Sequence, residues 1–492
     1  MITSVHIICI LLTVGLLLAV SIASGRKVKD AKAFATGGKA GSWMVCGAIL
    51  GTLVGGQSTI GTAQLAFSYG VSAWWFTIGA ALGALALSLI YAGPIRRSDC
   101  TTLLEIVSRE YGRKAETVGS VLFLIGIFIS IMAQVLSASA MVTSLFHIPT
   151  VWAAIISAAI IMLFVLFGGI RSAGAGGIIK LVLLYISSLT AGIIVWKIGG
   201  GITGLGESVQ RVCADPQLAE LSGLDSPELI RRRYSSPVAR GPLKDIGGCL
   251  SLMLGVISTQ TYTQGIWSGA TTAKARRGGL YCAFLIPIIG AACTLVGIYM
   301  RGHCVTAAEW AAMQAAGETL PEGIGIIGTS LEAFPAFVLN RMPDWLGGIA
   351  LGAMLINIMG SGSGLVLGAS TIMVRDILGG IRTRNPLRPY RLSIAGLLTA
   401  AVVVALSVEG AFINDLGFLS LGLRAVVLLF PLSFALFRPR RFNPQAIVPA
   451  MLAGTGIMLL AKFLSMPADP VYYGLAANLL TILLWPRQPS SL

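Results

Sequence analysis

The chain has 492 residues, of which 55% are hydrophobic and only 11% are charged, and its mean hydropathy is +0.84. Soluble domains contain about a quarter charged residues, so this composition excludes a soluble protein and indicates several membrane spans. The net charge of +15 does not indicate nucleic-acid binding, because the basic residues fall between apolar stretches, as in membrane topology signals. The eight cysteines include no CxxC pair, so neither a zinc site nor a redox pair is indicated.

The first apolar stretch, residues 2–23, is preceded by no basic residue and followed by five, from Arg26 to Lys39. A cleaved signal peptide carries its charge first, so we expect an uncleaved span with the N-terminus outside. Thirteen spans are predicted, and most Lys and Arg residues then lie in cytoplasmic loops, as the positive-inside rule requires. The spans are predicted at 2–23, 43–70, 72–95, 116–146, 150–168, 173–197, 246–270, 279–301, 345–378, 391–410, 412–437, 446–464 and 470–486.

This topology divides the chain into five parts and places the C-terminus in the cytoplasm. Cys213 and Cys304 fall in two different outside loops, where they form either a disulfide or two unrelated thiols. The parts are 1–42 (first span and cytoplasmic loop), 43–200 (five spans), 201–245 (outside loop), 246–440 (five spans) and 441–492 (two spans and a short cytoplasmic tail).

The span at 43–70 is interrupted by Gly51-Thr-Leu-Val-Gly-Gly-Gln-Ser-Thr-Ile-Gly61. Lipid gives unpaired backbone groups no partner, so glycines and polar side chains at mid-depth indicate a break that faces protein or a watery cavity. Such a break exposes carbonyl groups that bind cations and N–H groups that bind anionic solutes. The alternative is a close helix-packing face.

A second span, 246–270, carries the same kind of interruption, Gly255-Val-Ile-Ser-Thr-Gln-Thr-Tyr-Thr-Gln-Gly265. With the span at 43–70 as core span one and that at 412–437 as core span ten, this is core span six. Broken helices at matching positions of two five-span halves indicate an inverted-repeat secondary transporter. We therefore predict an all-α polytopic membrane protein with a five-plus-five inverted-repeat core and broken core helices one and six.

Core span six also carries a family resemblance. Gln260-Thr-Tyr-Thr-Gln264, followed by Ser268-Gly-Ala270 and Ala275-Arg-Arg-Gly278, resembles the sixth core helix of the sodium/solute symporter family, which includes the sodium/glucose and sodium/proline carriers. Further matches occur in the same order over roughly residues 35–440. They are Gly37-Gly-Lys-Ala-Gly-Ser-Trp43, Pro94-Ile-Arg-Arg97, Thr101-Thr-Leu-Leu-Glu105, Arg109-Glu-Tyr-Gly112, Ala133-Gln134, Gly168-Gly-Ile-Arg171 and Arg375-Asp376.

The resemblance implies a sodium (Na+) site between core spans one and eight. Backbone carbonyls at a broken helix suit a hard cation because they supply oxygen without charge. Gly360 stands where the family usually has Ser or Thr, so one hydroxyl ligand is missing. The stretch 360–364 is alternatively a small-residue packing face. The implied sodium ligands are Gly51, Val54, Asn357, Gly360 and Ser361.

Two basic residues lie more than one turn from either end of a predicted span. Lys180 follows Gly177, which stands where the family commonly has an aspartate, and this argues against an additional sodium site. Lys180 either places a positive charge near the cation site, replacing sodium or exchanging a proton, or snorkels to the inner face. Arg424 is at mid-span and needs a partner inside the bundle: a substrate carboxylate, or free carbonyls of a broken helix. Asp415 is over two turns away on the same helix.

The resemblance also implies that a solute binds at mid-membrane. Amide, hydroxyl and aromatic groups there suit a small polar organic molecule, and Arg424 favours one with a carboxylate. Alternatively, the tryptophans form an interfacial belt and the glutamines join neighbouring helices. The candidate solute-binding residues are Gln57, Ser58, Trp74, Trp75, Gln134, Gln260, Tyr262, Thr263 and Arg424.

Three functions remain open. The first is sodium-coupled symport of a small polar solute by alternating access. The second is a proton-coupled or cation-independent carrier in which Lys180 or Arg424 replaces the ion. The third is a transporter-derived membrane sensor. No HExxH, GxSxG or Walker motif occurs, so an enzyme is not expected. We expect an integral protein of the cell membrane, with a small-molecule substrate and lipid as partners, no organic cofactor, no nucleic acid and no obligate protein partner.

Overall fold

A computed structural model describes residues 2–25, 40–100, 102–146, 148–320, 322–378, 388–408 and 411–486. The described chain is built mainly from helices that pack side by side. One small parallel pair of strands, β1 (Cys304–Thr306) and β2 (Gly325–Ile327), lies between two of the long helices. The helix-rich architecture agrees with the all-α prediction from composition.

Most helices of the first half lie in predicted spans, several of them interrupted by short π or 3₁₀ turns. π turns occupy Gln57–Gly61 and Leu87–Tyr91, and a 3₁₀ turn occupies Gly70–Trp74. The helices are α1 (Ser4–Gly25), α2 (Ser42–Leu53), α3 (Thr62–Tyr69), α4 (Trp75–Ala86), α5 (Ala92–Arg97), α6 (Leu103–Tyr111), α7 (Arg113–Phe146) and α8 (Thr150–Ile198).

The second half begins with short helices and continues with long ones. A π turn, Ile372–Ile377, extends α17. The helices are α9 (Gly201–Cys213), α10 (Pro216–Ser222), α11 (Pro227–Ser235), α12 (Pro242–Ile257), α13 (Gln260–Ser268), α14 (Thr272–Arg301), α15 (Ala307–Ala315), α16 (Ala333–Arg341), α17 (Asp344–Thr371), α18 (Arg388–Ser407), α19 (Ile413–Phe437), α20 (Pro444–Phe463) and α21 (Pro470–Leu484).

Eight helical stretches in the described part of the chain are long and apolar enough to cross a membrane, judged by length and composition. Four shorter apolar helices accompany them: Ser4–Leu16, Ser42–Leu53, Thr150–Leu163 and Pro470–Leu484. The eight stretches are Gln57–Arg97, Arg113–Phe146, Ile178–Ile198, Thr272–Arg301, Asp344–Val374, Arg388–Ser407, Ile413–Phe437 and Pro444–Phe463.

Two regions differ from the predicted organisation. The predicted spans 150–168 and 173–197 form one continuous helix, α8, so the count of thirteen separate spans stays a prediction. The stretch 201–245, predicted as a loop, contains the helices α9, α10 and α11. Side chains stabilise two of their starts: Asp215 accepts hydrogen bonds from the first turn of α10, and Ser226 accepts one at α11.

Close packing of α4 against α12 depends on two glycines one turn apart. A β-carbon built on Gly79 would lie 2.6 Å from the Cys249 carbonyl oxygen, and one on Gly83 would lie 2.7 Å from that of Met253. Small residues four apart let helix backbones approach closely where lipid provides no hydrophobic driving force. This contact holds the first half of the core against core span six.

We predict that Gly83→Ala lowers the thermal unfolding midpoint in detergent by several degrees. Its β-carbon would meet backbone that cannot move aside, and overpacking costs about 1–3 kcal/mol. Gly456→Ala is the matched control because a β-carbon there meets no atom within 4 Å. Equal midpoints for the two variants would contradict the close approach of α4 to α12.

Candidate functional site

The first predicted break is present in core span one. Helix α2 ends at Leu53, and Val54 has an extended backbone with φ −90° and ψ 102°. The chain becomes helical again through the π turn at Gln57–Gly61 and continues as α3. The glycines and polar residues of this stretch therefore interrupt a buried helix, as the sequence predicted.

The second break lies in core span six, also as predicted. Helix α12 ends at Ile257, and Thr259 is extended with φ −105° and ψ 122°. Helix α13 then begins at Gln260. The two broken spans touch, because a β-carbon built on Gly265 would lie 2.5 Å from Cγ1 of Ile49 in α2.

Gln134 of α7 satisfies a backbone group that the first break leaves free. Its Oε1 accepts a hydrogen bond from the Gly56 N–H at 3.1 Å, and its side chain is buried. A β-carbon on Gly55 would lie 2.7 Å from Nε2 of Gln134, and one on Gly56 would lie 2.3 Å from Cβ of Ser137. The glycines are thus required both for the break and for the approach of α7.

Lys180 occupies the cation position that the resemblance implies. Its Nζ donates to the Gly51 carbonyl oxygen at 2.5 Å and to Ser361 Oγ at 3.2 Å. Ser361 Oγ also lies 3.2 Å from the carbonyl oxygens of both Gly51 and Val54. Only 5% of Lys180 is exposed, so the lysine contacts the break rather than snorkelling to the membrane surface.

The remaining two implied sodium ligands lie beside this ammonium. A β-carbon built on Gly360 would lie 3.1 Å from Lys180 Nζ. Asn357 is 1% exposed, and its Nδ2 has no hydrogen-bond partner among the described residues. Glycines of the same helix also pack closely: a β-carbon on Gly364 would lie 3.2 Å from Thr52 Cγ2. The 360–364 stretch therefore serves helix packing as well as the cation position.

Arg424 is fully buried at the second break, where protein hydroxyl groups surround its guanidinium. Nη1 donates to Thr259 Oγ1 at 3.2 Å, and Nη2 donates to Ser130 Oγ at 2.6 Å and Ser420 Oγ at 2.7 Å. Nε donates to the Ser420 carbonyl at 3.1 Å, and Tyr262 lies beside the group. Hydroxyls, rather than the freed carbonyls considered from sequence, are its main partners.

Asp415, the acidic residue on the same helix as Arg424, belongs to a different cluster. Arg240 donates to Asp415 Oδ1 and to Asp245 Oδ1, each at 2.7 Å. The Arg240 guanidinium also lies 5.2 Å from the centre of the Phe418 ring. The side chains of Arg240 and Asp245 are almost entirely buried. This charge cluster joins the start of α12 to the start of α19.

Several predicted solute-binding side chains bond to the protein itself. Trp74 Nε1 donates to the Pro287 carbonyl at 2.8 Å, and Trp75 Nε1 donates to the Pro237 carbonyl at 2.5 Å. Gln260 Oε1 accepts from the Leu103 N–H at 2.8 Å, at the first turn of α6. Gln260 therefore joins neighbouring helices, the alternative that the sequence left open for the glutamines, whereas the two tryptophans bond backbone carbonyls of α14 and of the segment between α11 and α12.

The polar residues next to the breaks also make local bonds. Ser58 Oγ donates to the Leu53 carbonyl at 3.4 Å, and Thr263 Oγ1 donates to the Thr259 carbonyl at 3.1 Å. Both residues are buried, as is Tyr262. The two hydroxyls thus bond carbonyl groups at the irregular turns.

Gln57 differs from the other candidates because its buried Nε2 has no protein partner within the described ranges. A β-carbon on Gly417 would lie 3.1 Å from this nitrogen and 2.7 Å from the Phe76 ring. Asn414 Oδ1 is also buried without a partner in this part of the chain, and it lies against Gly61 of the first break. Gln57, Phe76, Asn414 and Gly417 therefore form a mixed amide and aromatic surface between core spans one, two and ten.

Sequence reasoning missed three members of this surface. Asn414 is a polar residue next to Asp415 at the start of a predicted span, and that position is a usable signal. Phe76 and Gly417 carry no comparable signal, because aromatic and small residues are common in spans.

Among the described residues, the cysteines and acidic side chains give no further site. All eight cysteines are free thiols, so Cys213 and Cys304 are not bridged, and Cys213 Sγ instead lies 3.3 Å from Nε of Arg301. Over the described ranges, no group of three or more His, Cys, Asp or Glu residues is placed to hold a metal ion.

Comparison with known proteins gives consistent relatives. The Bacillus subtilis protein described as uncharacterized symporter YwcA is 23% identical over 456 residues, which cover 90% of this chain and 82% of that protein. High-affinity choline transporter 1 of Torpedo marmorata is 25% identical over 334 residues, 66% of this chain and 52% of the relative. Sodium/glucose cotransporter 1 of Sus scrofa is 22% identical over 382 residues, 74% and 56% of the two chains. The chain thus spans about half the length of the animal relatives.

Solved structures share the fold. A Na+-coupled sialic acid symporter in a substrate-bound outward-open state superposes with a TM-score of 0.72 over 100% of both chains, at 16% identity. Mhp1, a nucleobase-cation-symport-1 family transporter in a closed conformation, gives a TM-score of 0.54 over 91% and 92% of the two chains, at 11% identity. At these identities the likeness concerns the fold alone.

A family model described as the sodium:solute symporter family matches residues 34–454, a range that contains both breaks, the Lys180 and Arg424 positions and the amide surface. The chain belongs to the sodium:solute symporter family, and it is an integral multi-pass membrane protein of a transporter family rather than an enzyme.

Proposed function

We propose that this chain is a secondary carrier that moves a small polar organic solute across the cell membrane by alternating access about the two breaks. The single observation that carries the proposal is the pair of broken, mutually contacting core helices with buried polar groups around them. Irregular backbone inside a membrane protein is tolerated where it lines a cavity or binds a ligand. A transporter-derived sensor has no observation of its own in its favour.

The amide and aromatic surface is the part of the site that suits a solute. Buried polar groups almost always have a hydrogen-bond partner, so the Gln57 and Asn414 atoms without one in the described chain favour a bound molecule with both acceptor and donor groups. Arg424 is already bonded to protein oxygens through all three nitrogens. We therefore propose recognition through amides and aromatic rings, with less weight on a carboxylate that pairs with Arg424.

Two modes of coupling are candidates. The first is sodium coupling, which family membership supports. The relatives named as choline and glucose carriers and the structural neighbour named as a sialic acid symporter support a small polar organic solute. The second candidate is a proton-coupled or cation-independent carrier, in which no sodium binds at the Gly51, Val54 and Ser361 position. The ammonium contact at Gly51 favours it, because a sodium ion there would have to displace Lys180.

The predicted topology places the charge cluster at the outer side. Arg240 and Asp245 lie at the end of the stretch predicted outside, and Asp415 begins core span ten. In this arrangement the cluster closes the outer ends of core spans six and ten over the amide surface. An N-terminus outside and a C-terminus in the cytoplasm remain predictions.

We predict that Gln57→Leu raises the KM for the transported solute about five- to thirtyfold while leaving the unfolding midpoint unchanged or higher. The variant removes an amide nitrogen that has no partner within the described chain, and a lost solute hydrogen bond costs about 1–2 kcal/mol. The measurement is uptake of radiolabelled choline, sugars, amino acids and monocarboxylates into proteoliposomes, together with thermal unfolding in detergent.

Gln134→Leu is the comparison variant because its amide does bond to the Gly56 N–H. We expect it to lower the unfolding midpoint as well as transport. If Gln57→Leu lowered stability as much as Gln134→Leu and left KM unchanged, the amide surface would not be the solute site. If no solute in the panel were taken up, the carrier proposal itself would be contradicted.

We also predict that Arg240→Gln increases the exposure of the amide surface to the outside. The change breaks the local ion pair of Arg240 with Asp245 in α12 and the ion pair with Asp415 that connects this end of α12 to α19. A membrane-impermeant maleimide should then label Gln57→Cys/Arg240→Gln in whole cells several-fold faster than it labels Gln57→Cys alone. Labelling of Arg240→Gln without the added cysteine gives the background from the native thiols. Unchanged labelling would mean that the cluster does not close this side.

A further inference from the structure

Two buried basic side chains each lie at one of the two helix breaks. At the first break, Lys180 Nζ bonds to the Gly51 carbonyl and to the hydroxyl of Ser361. At the second, the Arg424 guanidinium bonds to the hydroxyls of Thr259 and Ser130. Neither basic group forms an ion pair with an acidic residue of the described chain. Their positive charges are therefore held by uncharged oxygens.

The inverted repeat relates these two arrangements element by element. Lys180 lies on core span five and contacts the break in core span one. It also bonds the Ser361 hydroxyl on core span eight, which is the third span of the other repeat. Arg424 lies on the tenth core span, which is the fifth of its repeat. It contacts the break in the sixth, the first of its repeat, and bonds a hydroxyl on the third. Each repeat thus carries one basic side chain that joins its own broken helix to the other repeat.

A sodium ion and the Lys180 ammonium cannot occupy the first position together. The ammonium is already 2.5 Å from the Gly51 carbonyl oxygen, which is within the range of distances at which oxygen ligates hard cations. Two positive charges in contact inside a protein repel strongly because water does not screen them. The ammonium also supplies the same single positive charge that a sodium ion would bring.

Gly360 provides the space that the ammonium needs. A β-carbon at this position would approach Nζ to 3.1 Å, and a Ser or Thr hydroxyl would compete for the same volume. The chain thus lacks the family's usual hydroxyl at 360 and has a lysine at 180 instead. We read these two differences as a matched pair.

We propose that this chain carries its coupling-site cation as a side chain: Lys180 takes the place of sodium at the first break, and Arg424 is its counterpart at the second. This inference rests on the proposed carrier function and identifies the cation at its site. In this arrangement, the ammonium stabilises the contact between α2 and α17 that a bound sodium ion would otherwise stabilise. Transport then does not require sodium at this position.

The test converts the position back into a sodium site. In Lys180→Ala/Gly360→Ser, the ammonium is gone and a second hydroxyl joins Ser361 beside the carbonyls of Gly51 and Val54. We expect the unfolding midpoint of this double variant to rise by several degrees, saturably, on replacing N-methyl-D-glucamine with sodium on the order of 100 mM, because a ligand of the folded state stabilises it. The unaltered chain should show no sodium-dependent shift.

Two single variants keep the test decisive if the double variant folds poorly. Lys180→Met keeps the side-chain length without the charge, and Gly360→Ser crowds the ammonium. Both should unfold at lower temperature than the unaltered chain, and neither should respond to sodium. A saturable sodium shift in the unaltered chain that Ser361→Ala abolishes would overturn the proposal, as would a double variant that folds but ignores sodium.

Uptake measurements separate this inference from the carrier function. Solute uptake into sodium-free proteoliposomes should proceed at the same rate as in sodium if Lys180 is the resident cation. Uptake that depends on sodium would overturn the inference while supporting the carrier function. Absence of uptake under both conditions would count against the carrier function alone, because the thermal shifts report sodium binding independently.

Discussion

Backbone groups freed inside the membrane core are the constraint on which the rest of this structure depends. Lipid offers such groups no hydrogen bond, so each break in a buried helix must be satisfied by the protein or by a ligand. At the first break, Lys180 and Ser361 bond the carbonyl groups, and Gln134 bonds the Gly56 N–H. At the second break, the polar contacts converge on Thr259. Core spans three, five, eight and ten are positioned by these bonds as much as by packing.

The same bonds explain why polar and basic residues are tolerated in a core this apolar. A charge at mid-depth is costly unless it finds partners within the bundle. For Arg424 those partners are hydroxyls on three different core spans, and the side chain is fully buried as a result. Removing the arginine would leave these hydroxyls with fewer partners, so its role in joining the spans does not depend on any solute.

Both breaks could be predicted from the sequence, because a regular helix in lipid seldom combines several glycines with adjacent polar residues at mid-depth. The structure places each break within its predicted stretch. The need of Arg424 for an internal partner was predictable from the cost of a buried charge. Its hydroxyl partners were not, because Ser130 and Ser420 look like ordinary residues of apolar helices. The short helices after α8 were missed although Pro216 and Pro227, each following a capping residue, are usual helix-start signals.

Lys180 illustrates where a prediction from one sequence position must fail. Snorkelling was plausible because the predicted span began two turns earlier, yet the helix continues through that point from Thr150 to Ile198. A lysine in the middle of a continuous helix is too far from a helix end for its side chain to snorkel to the membrane surface. Its side chain instead bonds the Gly51 carbonyl, and the absence of a side chain at Gly360 leaves room for its Nζ, which would lie 3.1 Å from a β-carbon there. Gly360 alone suggests a weakened sodium site, and Lys180 alone suggests a surface lysine. Their contact makes each the reason for the other, and it favours a site whose cation is part of the chain.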